Sequence, residues 1–445
     1  MTTVENRYLV GNYAPVANEV TVAELLVSGS LPEALCGRYL RNGPNPVVPP
    51  EPSTYHWFTG DGMVHGVRIR DGRAEWYRNR YVRSAAVAAA LGEPARPGPV
   101  HADMDFAPNT NVIGHAGRTF AIVEAGARPY ELTYDLDTVG PSDLGGSLPG
   151  GYTAHPKRDP ATGELHAVSY YWGWGNRVQY TVVDSSGLVR KVVDVEVGGS
   201  VSVHDMSLTE RFAVIYDLPV VFDVEAATAG AGFPYRWDPD YRARIGLLER
   251  EGGAEDISWF DVAPCFVFHP MNAYDDGDHV VLDVVRHARM FDVNRLGPDE
   301  GPPTLERWTV DLTGGKVVEE QLDDRGQEFP RVDERLVGRR HRYGYAGAFL
   351  ESESALVKHD LDRGTSEVRP LHSGGGSSEA VFVPAGPDAA EDDGWILSIV
   401  HDADRDTSDL LVLNAADFTG EPEAVVHLPQ RVPFGFHGNW VPDDV

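Results

Sequence analysis

Read by its hydrophobic and polar positions, the chain is a succession of short apolar runs rich in β-branched and aromatic residues. Each run is closed by Gly, Asp, Asn or Pro, the pattern of strands separated by turns. TFAIVE (119–124), LHAVSYYWG (165–173), FAVIYDLPVVF (212–222), HVVLDVV (279–285), WILSIV (395–400) and DLLVLNA (409–415) are examples. Turn signals such as DPATGE, DSSGLV, DDGD, LDRGTSE and EDDGW fall between such runs. Helical periodicity is sparse. It predicts short helices at VTVAELLVSGSL (20–31) and RSAAVAAAL (83–91), with PDYRARIGLLER (239–250) as a third.

This rhythm continues across nearly the whole chain with no low-complexity segment and no domain seam. A single all-β domain over residues 1–445 is therefore expected. The natural architecture is a β-propeller, which closes a long antiparallel chain on itself and leaves few exposed strand edges. Seven blades would take roughly 60 residues each, enough for four short strands and their loops. A double β-sandwich is the structural alternative. In a propeller the inner strands of different blades converge on the axis, so a metal there would be held by single residues far apart in sequence.

Composition narrows the function classes. The chain has 445 residues, 42% hydrophobic and 24% charged, as in a globular protein. A formal net charge of -30 argues against nucleic-acid binding, which needs clustered Lys and Arg. It also argues against electrostatic docking on anionic lipid. MTTVENRYLVGNYAPVANEV has no cationic start followed by an apolar run, so no signal peptide is expected. Cys36 and Cys265 read as two buried thiols in a reducing cytoplasm.

Compact catalytic motifs are missing: H-E-x-x-H, C-x-x-C, G-x-x-x-x-G-K and G-x-S-x-G do not occur. The glycines of SGGGSSE (373–379) read as loop residues rather than a phosphate cradle. Sixteen histidines remain. His101-Ala-Asp103 has the H-x-D spacing of a two-His-one-carboxylate iron site, but no supporting pattern surrounds it. Four others share a setting: AHPKRD at His155, VHDMSL at His204, FHPMNAY at His269 and FHGNW at His437. Each sits at a turn beside an apolar strand. Four neutral imidazoles on one ion suit Fe(II), Zn(II) or Cu(II).

LPEALCGRYLRNGPNP (31–46) and YHWFTGDGMVHGVRI (55–69) are followed in order by NTNVIGHAGRTFAIVEAGARPYEL (109–132), GYTAHPKRD and SVHDMSLTERFAVI. FHPMNAYDDG, EFPRVDERLVGRRHRYGY (328–345), SSEAVFVP and GFHGNW complete the series. Together these segments resemble the carotenoid cleavage oxygenases, which include stilbene-cleaving and retinoid-isomerising enzymes. The resemblance covers essentially the whole chain. It implies a seven-bladed propeller with a helical and loop cap over the active-site face. It places His155, His204, His269 and His437 on the family's four iron ligands, one Fe(2+) per chain. Glu124, Glu328 and Glu379 fall on its three glutamates that hold ligand imidazoles, orienting His204, His269 and His437 respectively. His155 would then lack a carboxylate partner. Thr110 falls on a threonine beside an open coordination position.

The implied reaction cleaves a conjugated carbon–carbon double bond with O2 to give two carbonyl products. It requires no side chain as general acid or base, in keeping with the missing triads. An apolar tunnel would select the bond cut, with Trp57, Phe58, Phe268, Phe434 and Phe436 as wall residues. Hydroxystilbene-cleaving relatives carry a lysine just before the first glutamate, where this chain has Val123. That favours a carotenoid or apocarotenoid over a stilbene or isoeugenol-type substrate. Polyenes sit in membranes, and LPVVF (218–222) and AAVAAAL (85–91) are the segments considered for a peripheral membrane contact. A buried strand and a short cap helix are the preferred readings of both. A calcium-dependent propeller hydrolase and a non-catalytic binding propeller are the competing functions. The terminal stretch PFGFHGNWVP (433–442) is expected to be the strand that closes the ring.

Overall fold

The computed structural model describes residues 6–106, 108–349, 354–371, 376 and 378–443. Most of the predicted loop 373–379 therefore lies outside the described residues. Seven antiparallel sheets are arranged as the blades of a propeller. Listed from the axis outward, blade two is Asn111–His115, Arg118–Ile122, Tyr130–Leu132 and Thr138–Pro141. Blade three is Lys157–Arg158, Leu165–Tyr170, Arg177–Val183 and Val189–Glu196, and blade four is Met206–Leu208, Phe212–Asp217, Arg244–Glu249 and Ile257–Asp261. Blade five is Phe266–Asp276, His279–His287, Thr304–Asp311 and Lys316–Asp323. Blade six is Gln327–Arg331, Tyr343–Phe349, Ser354–Asp360 and Thr365–Pro370.

The remaining two blades close the ring from both directions. Gly438–Pro442 forms the inner strand of blade one and pairs with Gly37–Pro44, followed by Gly62–Arg70, Arg73–Tyr81 and, outermost, Thr21–Ala23. Val27–Gly29 is the outer strand of blade seven, paired with Ala424–His427 beyond Thr407–Asn414, Gly394–Asp402 and Val381–Pro384. Burial follows position. Leu165–Tyr170, flanked on both faces by neighbouring blades, is buried at every residue. The outer strand Val189–Glu196 alternates between half-buried or buried positions and exposed ones, as a one-sided strand must.

Two of the three expected helices are strands. VTVAELLVSGSL divides into Thr21–Ala23 and Val27–Gly29, split at Glu24, whose φ is +55°. Residues 239–250 contribute Arg244–Glu249, hydrogen-bonded on both sides within blade four. Strand pairing overrode weak helical propensity in both segments. The third expectation holds: Ala85–Ala90 is helical, with Ser84 capping the N–H of Val87. The run 212–222 breaks at Pro219, which has no N–H for a ladder. Its second half, Val220–Phe222, leaves the blade and pairs with Tyr235–Trp237 in a separate hairpin. Between those strands lies a second short helix, Val224–Thr228, capped by Asp223.

Near the axis the closing strand passes close to blade one's second strand. A Cβ on Gly43 would sit 2.7 Å from Gly435 Cα, too close for any residue with a side chain. Gly43→Ala should therefore cost about 1–3 kcal/mol in chemical denaturation. Gly386→Ala, where no atom lies within 4 Å, should change stability little in the same assay.

Candidate active site

Each of the seven inner strands has a polar site residue within it or within two residues before it. His155, His204 and His437 lie immediately upstream of the inner strands of blades three, four and one, and His269 lies within that of blade five. Glu328 lies in the inner strand of blade six, and Glu379 lies two residues before that of blade seven. Thr110 immediately precedes the inner strand of blade two, while Glu124 follows that blade's second strand. Strand register shifts between Val267 and Asn272, around His269 and Pro270, and again between Glu328 and Arg331. Such bulges re-aim side chains that a regular pleat would point elsewhere. Phe329, at φ +56°, sits in the second irregularity. Its strained backbone brings its N–H to Glu328 Oε2 at 2.5 Å and stacks its ring on His269 at 5.2 Å.

The structure brings His155, His204, His269 and His437 together, with one nitrogen of each within 4.8 Å of the others. All four are buried. Nδ1 of His269 lies 2.7 Å from Glu328 Oε2, and Nδ1 of His437 lies 2.7 Å from Glu379 Oε1. Nδ1 of His204 is likewise 2.7 Å from Glu124 Oε2, although off the line of a well-aligned hydrogen bond. With Nδ1 turned to a carboxylate, Nε2 is left as the free donor atom of each ring. His204 Nε2 and His269 Nε2 are only 3.2 Å apart. The fourth ring has no such anchor: the carboxylate nearest His155 Nδ1 is Asp205, at 3.8 Å, and Asp205 is bonded to Lys157 at 2.8 Å. His155 Nε2 is buried and has no hydrogen-bond partner. Four convergent imidazoles, one with an orphaned buried nitrogen, fit a borderline divalent cation.

Electrostatics keep two of these rings, His155 and His269, neutral in the absence of an ion. Burial, followed by the three neighbouring imidazoles, drives the His155 pKa far below its ordinary value. Burial lowers His269 to about 4 despite the opposing pull of Glu328. Burial also works against a charged His204, but Glu124, joined by Asp205 and Glu328, outweighs it and the net shift is upward. Burial penalises both carboxylates at the other rings, yet Glu328 falls well below the usual range through His269 and His287. Glu379 falls to about 2 through His437 and Arg331. Arg331 Nη1 lies 3.2 Å from Glu379 Oε2, which also accepts the N–H of Gly438 at 2.8 Å.

Beside the imidazoles opens a cavity of about 1410 Å³. Trp57, Phe58, Phe268, Phe434 and Phe436 all line it, as do Val123 and Thr110. Phe268 packs edge-on against His204 at 5.0 Å, and Trp57 meets Phe436 at 4.6 Å. The Thr110 hydroxyl donates to Asn109 Oδ1, and its carbonyl accepts the N–H of His437 at 3.0 Å. Both short helices contribute to the cavity wall, through Ala86 and through Val224, Ala227 and Thr228. Of LPVVF, Leu218, Val220 and Val221 are buried, whereas Phe222 reaches the cavity and stacks on Trp172 at 5.4 Å.

His101 and Asp103 lie apart from the four histidines; the His101 ring rests against Tyr171 and Trp174. Cys265 is fully buried, while Cys36 is half-buried near Asp443, so the expectation of two buried thiols holds for one. The sequence reading overlooked His287, whose Nε2 lies 2.7 Å from Glu328 Oε1. It also overlooked Phe329, and Tyr8, Tyr13, Phe233 and Tyr235 of the cavity wall. His287 ends an ordinary apolar strand, so periodicity alone gave no signal.

The propeller thus gathers four imidazoles on its axis beside an apolar chamber. The family model described as retinal pigment epithelial membrane protein matches residues 13–442. The carotenoid cleavage oxygenase of Mycobacterium tuberculosis is 50% identical, with 98% of this chain and 98% of that protein covered. Pseudomonas brassicacearum lignostilbene dioxygenase superposes with a TM-score of 0.89 at 28% identity, covering 99% of this chain and 100% of that one. Cobalt-substituted Synechocystis ACO, an apocarotenoid oxygenase, gives 0.86 at 29% identity, covering 96% and 97%. The chain belongs to the carotenoid cleavage oxygenase family, and it is an alkene-cleaving dioxygenase.

The depressed Glu379 pKa has a measurable consequence. Its stabilisation is complete above the unfolded-chain value of 4.5 and is lost as pH falls toward about 2. In metal-free protein, the unfolding free energy should drop by about 3 kcal/mol across that window. Glu379→Gln should flatten part of this slope in denaturant titrations at stepped pH.

Proposed function

We propose that His155, His204, His269 and His437 hold one Fe(II) per chain, and that the protein cleaves a conjugated double bond of a carotenoid or apocarotenoid with O2. The observation that carries the reading is the set of three imidazoles turned by carboxylates so that Nε2 faces a common centre. Four nitrogen donors favour a transition metal over calcium, which takes oxygen ligands. This weighs against a calcium-dependent hydrolase. Bound there, the ion would supply O2 activation beside the alkene.

The remaining roles belong to the chain. Glu124, Glu328 and Glu379 fix ring tautomer and angle, which sets ligand direction and basicity. Thr110, tied to His437 through its backbone, would border the bound ion on the cavity side. Trp57, Phe58, Phe268, Phe434 and Phe436 exclude water and orient a flat apolar substrate. Val123 offers no charge to a phenol, which supports a polyene. The likeness to lignostilbene dioxygenase keeps a stilbene or isoeugenol-type alkene as the second reading.

At the cavity mouth Trp172 is 44% exposed and Val224 67% exposed. This apolar rim supports peripheral contact with a membrane during substrate uptake. No helix among the described residues is long and apolar enough to cross one. A cytoplasmic location, acting on small molecules rather than nucleic acid, completes the reading.

Metal analysis of the purified protein should find about one iron per chain, and His437→Ala should lose it while remaining folded. Calcium, or no metal at all, would sink the proposal. A screen of β-carotene, apocarotenals, resveratrol and isoeugenol for aldehyde products should favour the polyenes. Val123→Lys should lower kcat/KM for apocarotenals by about tenfold or more, since a buried charge replaces apolar wall. Better turnover of resveratrol than of any polyene by the unmodified enzyme would select the second reading.

A further inference from the structure

Glu328 is shared between two imidazoles. Its Oε2 accepts from His269 Nδ1 at 2.7 Å, and its Oε1 accepts from His287 Nε2 at 2.7 Å. Glu328 is 7% exposed and His287 5%, so water does little to hold either. A carboxylate tied through one oxygen can still rotate about its last side-chain torsion, which has broad wells. Tied through both oxygens, its plane is fixed. An ionised carboxylate only accepts hydrogen bonds, so His287 must carry its proton on Nε2 and His269 on Nδ1. The second assignment leaves His269 Nε2 with its lone pair toward the other three rings.

Glu379 is held in the same manner by different chemistry. One of its oxygens takes His437, and the other takes Arg331 and the Gly438 N–H. His287 thus occupies for Glu328 the place that Arg331 occupies for Glu379, without adding a formal charge. It belongs to the neighbouring blade, being the last residue of His279–His287, and packs edge-on against the wall residue Phe268 at 5.1 Å.

We infer that His287 is a positioning residue: by holding one oxygen of Glu328, it fixes the other against His269 and so sets the aim of that ligand nitrogen. The inference rests on the reading that the four histidines bind a metal, and wild-type protein serves as the control for that reading. His287→Phe keeps a flat ring against Phe268 but has no donor. It should bind Fe(II) about tenfold more weakly in anaerobic competition with a colorimetric chelator, and its Co(II) derivative should show a shifted d–d absorption band. His287→Gln restores an N–H within reach of the same oxygen and should recover affinity to within about threefold of wild type. A histidine that merely fills space would give the opposite pattern, with Phe tolerated and Gln no better. Fe(II) affinity of His287→Phe within twofold of wild type, or a Gln variant as weak as Phe, overturns the inference. If the Phe variant does not fold, His287→Asn makes the same discrimination, because its amide falls short of Glu328 and should bind as weakly. Wild-type protein that takes up no Fe(II) would overturn the metal reading itself, and this inference with it.

Discussion

Three carboxylates buried at the axis of an apolar ring are the constraint to which the rest of the site answers. An unpaired buried charge costs several kcal/mol, so each glutamate must find donors from the few groups that reach the axis. Each finds an imidazole first, and that choice turns the opposite ring nitrogen inward. Glu379 adds a guanidinium and a backbone N–H; Glu328 adds a second imidazole and the N–H of a strained phenylalanine. Glu124 has the least additional support, and the pKa of its partner His204 moves upward while those of His155 and His269 move down. The same four-fold motif therefore contains imidazoles of unequal basicity. The inequality arises from what stands behind each carboxylate.

The polar axis and the apolar cavity depend on each other. Trp57, Phe58, Phe268 and Phe436 pack into one aromatic cluster that reaches His204. A charge-compensated centre under such a wall lies in a medium of low dielectric, where each electrostatic contact counts for more than in water. The cap hairpin and the two short helices complete that enclosure. The hairpin and the helix it carries arise where the chain leaves blade four at Pro219, which lacks the N–H that would continue the strand Phe212–Asp217.

Much of this was legible beforehand. The strand rhythm pointed to a closed all-β ring, and the four histidines stood apart by their shared turn-and-strand setting before any likeness was considered. The resemblance then named the glutamates, which no local pattern would have separated from surface charges. What escaped was set by long-range pairing. Residues 20–31 and 239–250 have weak helical periodicity, but the ladders of Arg73–Tyr81, Ala424–His427 and blade four claimed them. His287 escaped because its partner lies 41 residues away in the next blade. Phe329 escaped because a positive φ on an aromatic residue leaves no trace in composition.

The ring is clasped at two seams, by Val27–Gly29 on the outside of blade seven and by Gly438–Pro442 on the inside of blade one. That clasp orders events during synthesis. A nascent chain can assemble blades two to six in sequence as they emerge, since each is built from contiguous strands. His437 leaves the ribosome after every other member of the constellation. Until it does, the site has three imidazoles and Glu379 lacks the ring that compensates it. On the proposed metal reading, the full four-nitrogen set would exist only once the circle is complete, and a bound ion would then tie the last strand to the rest of the ring.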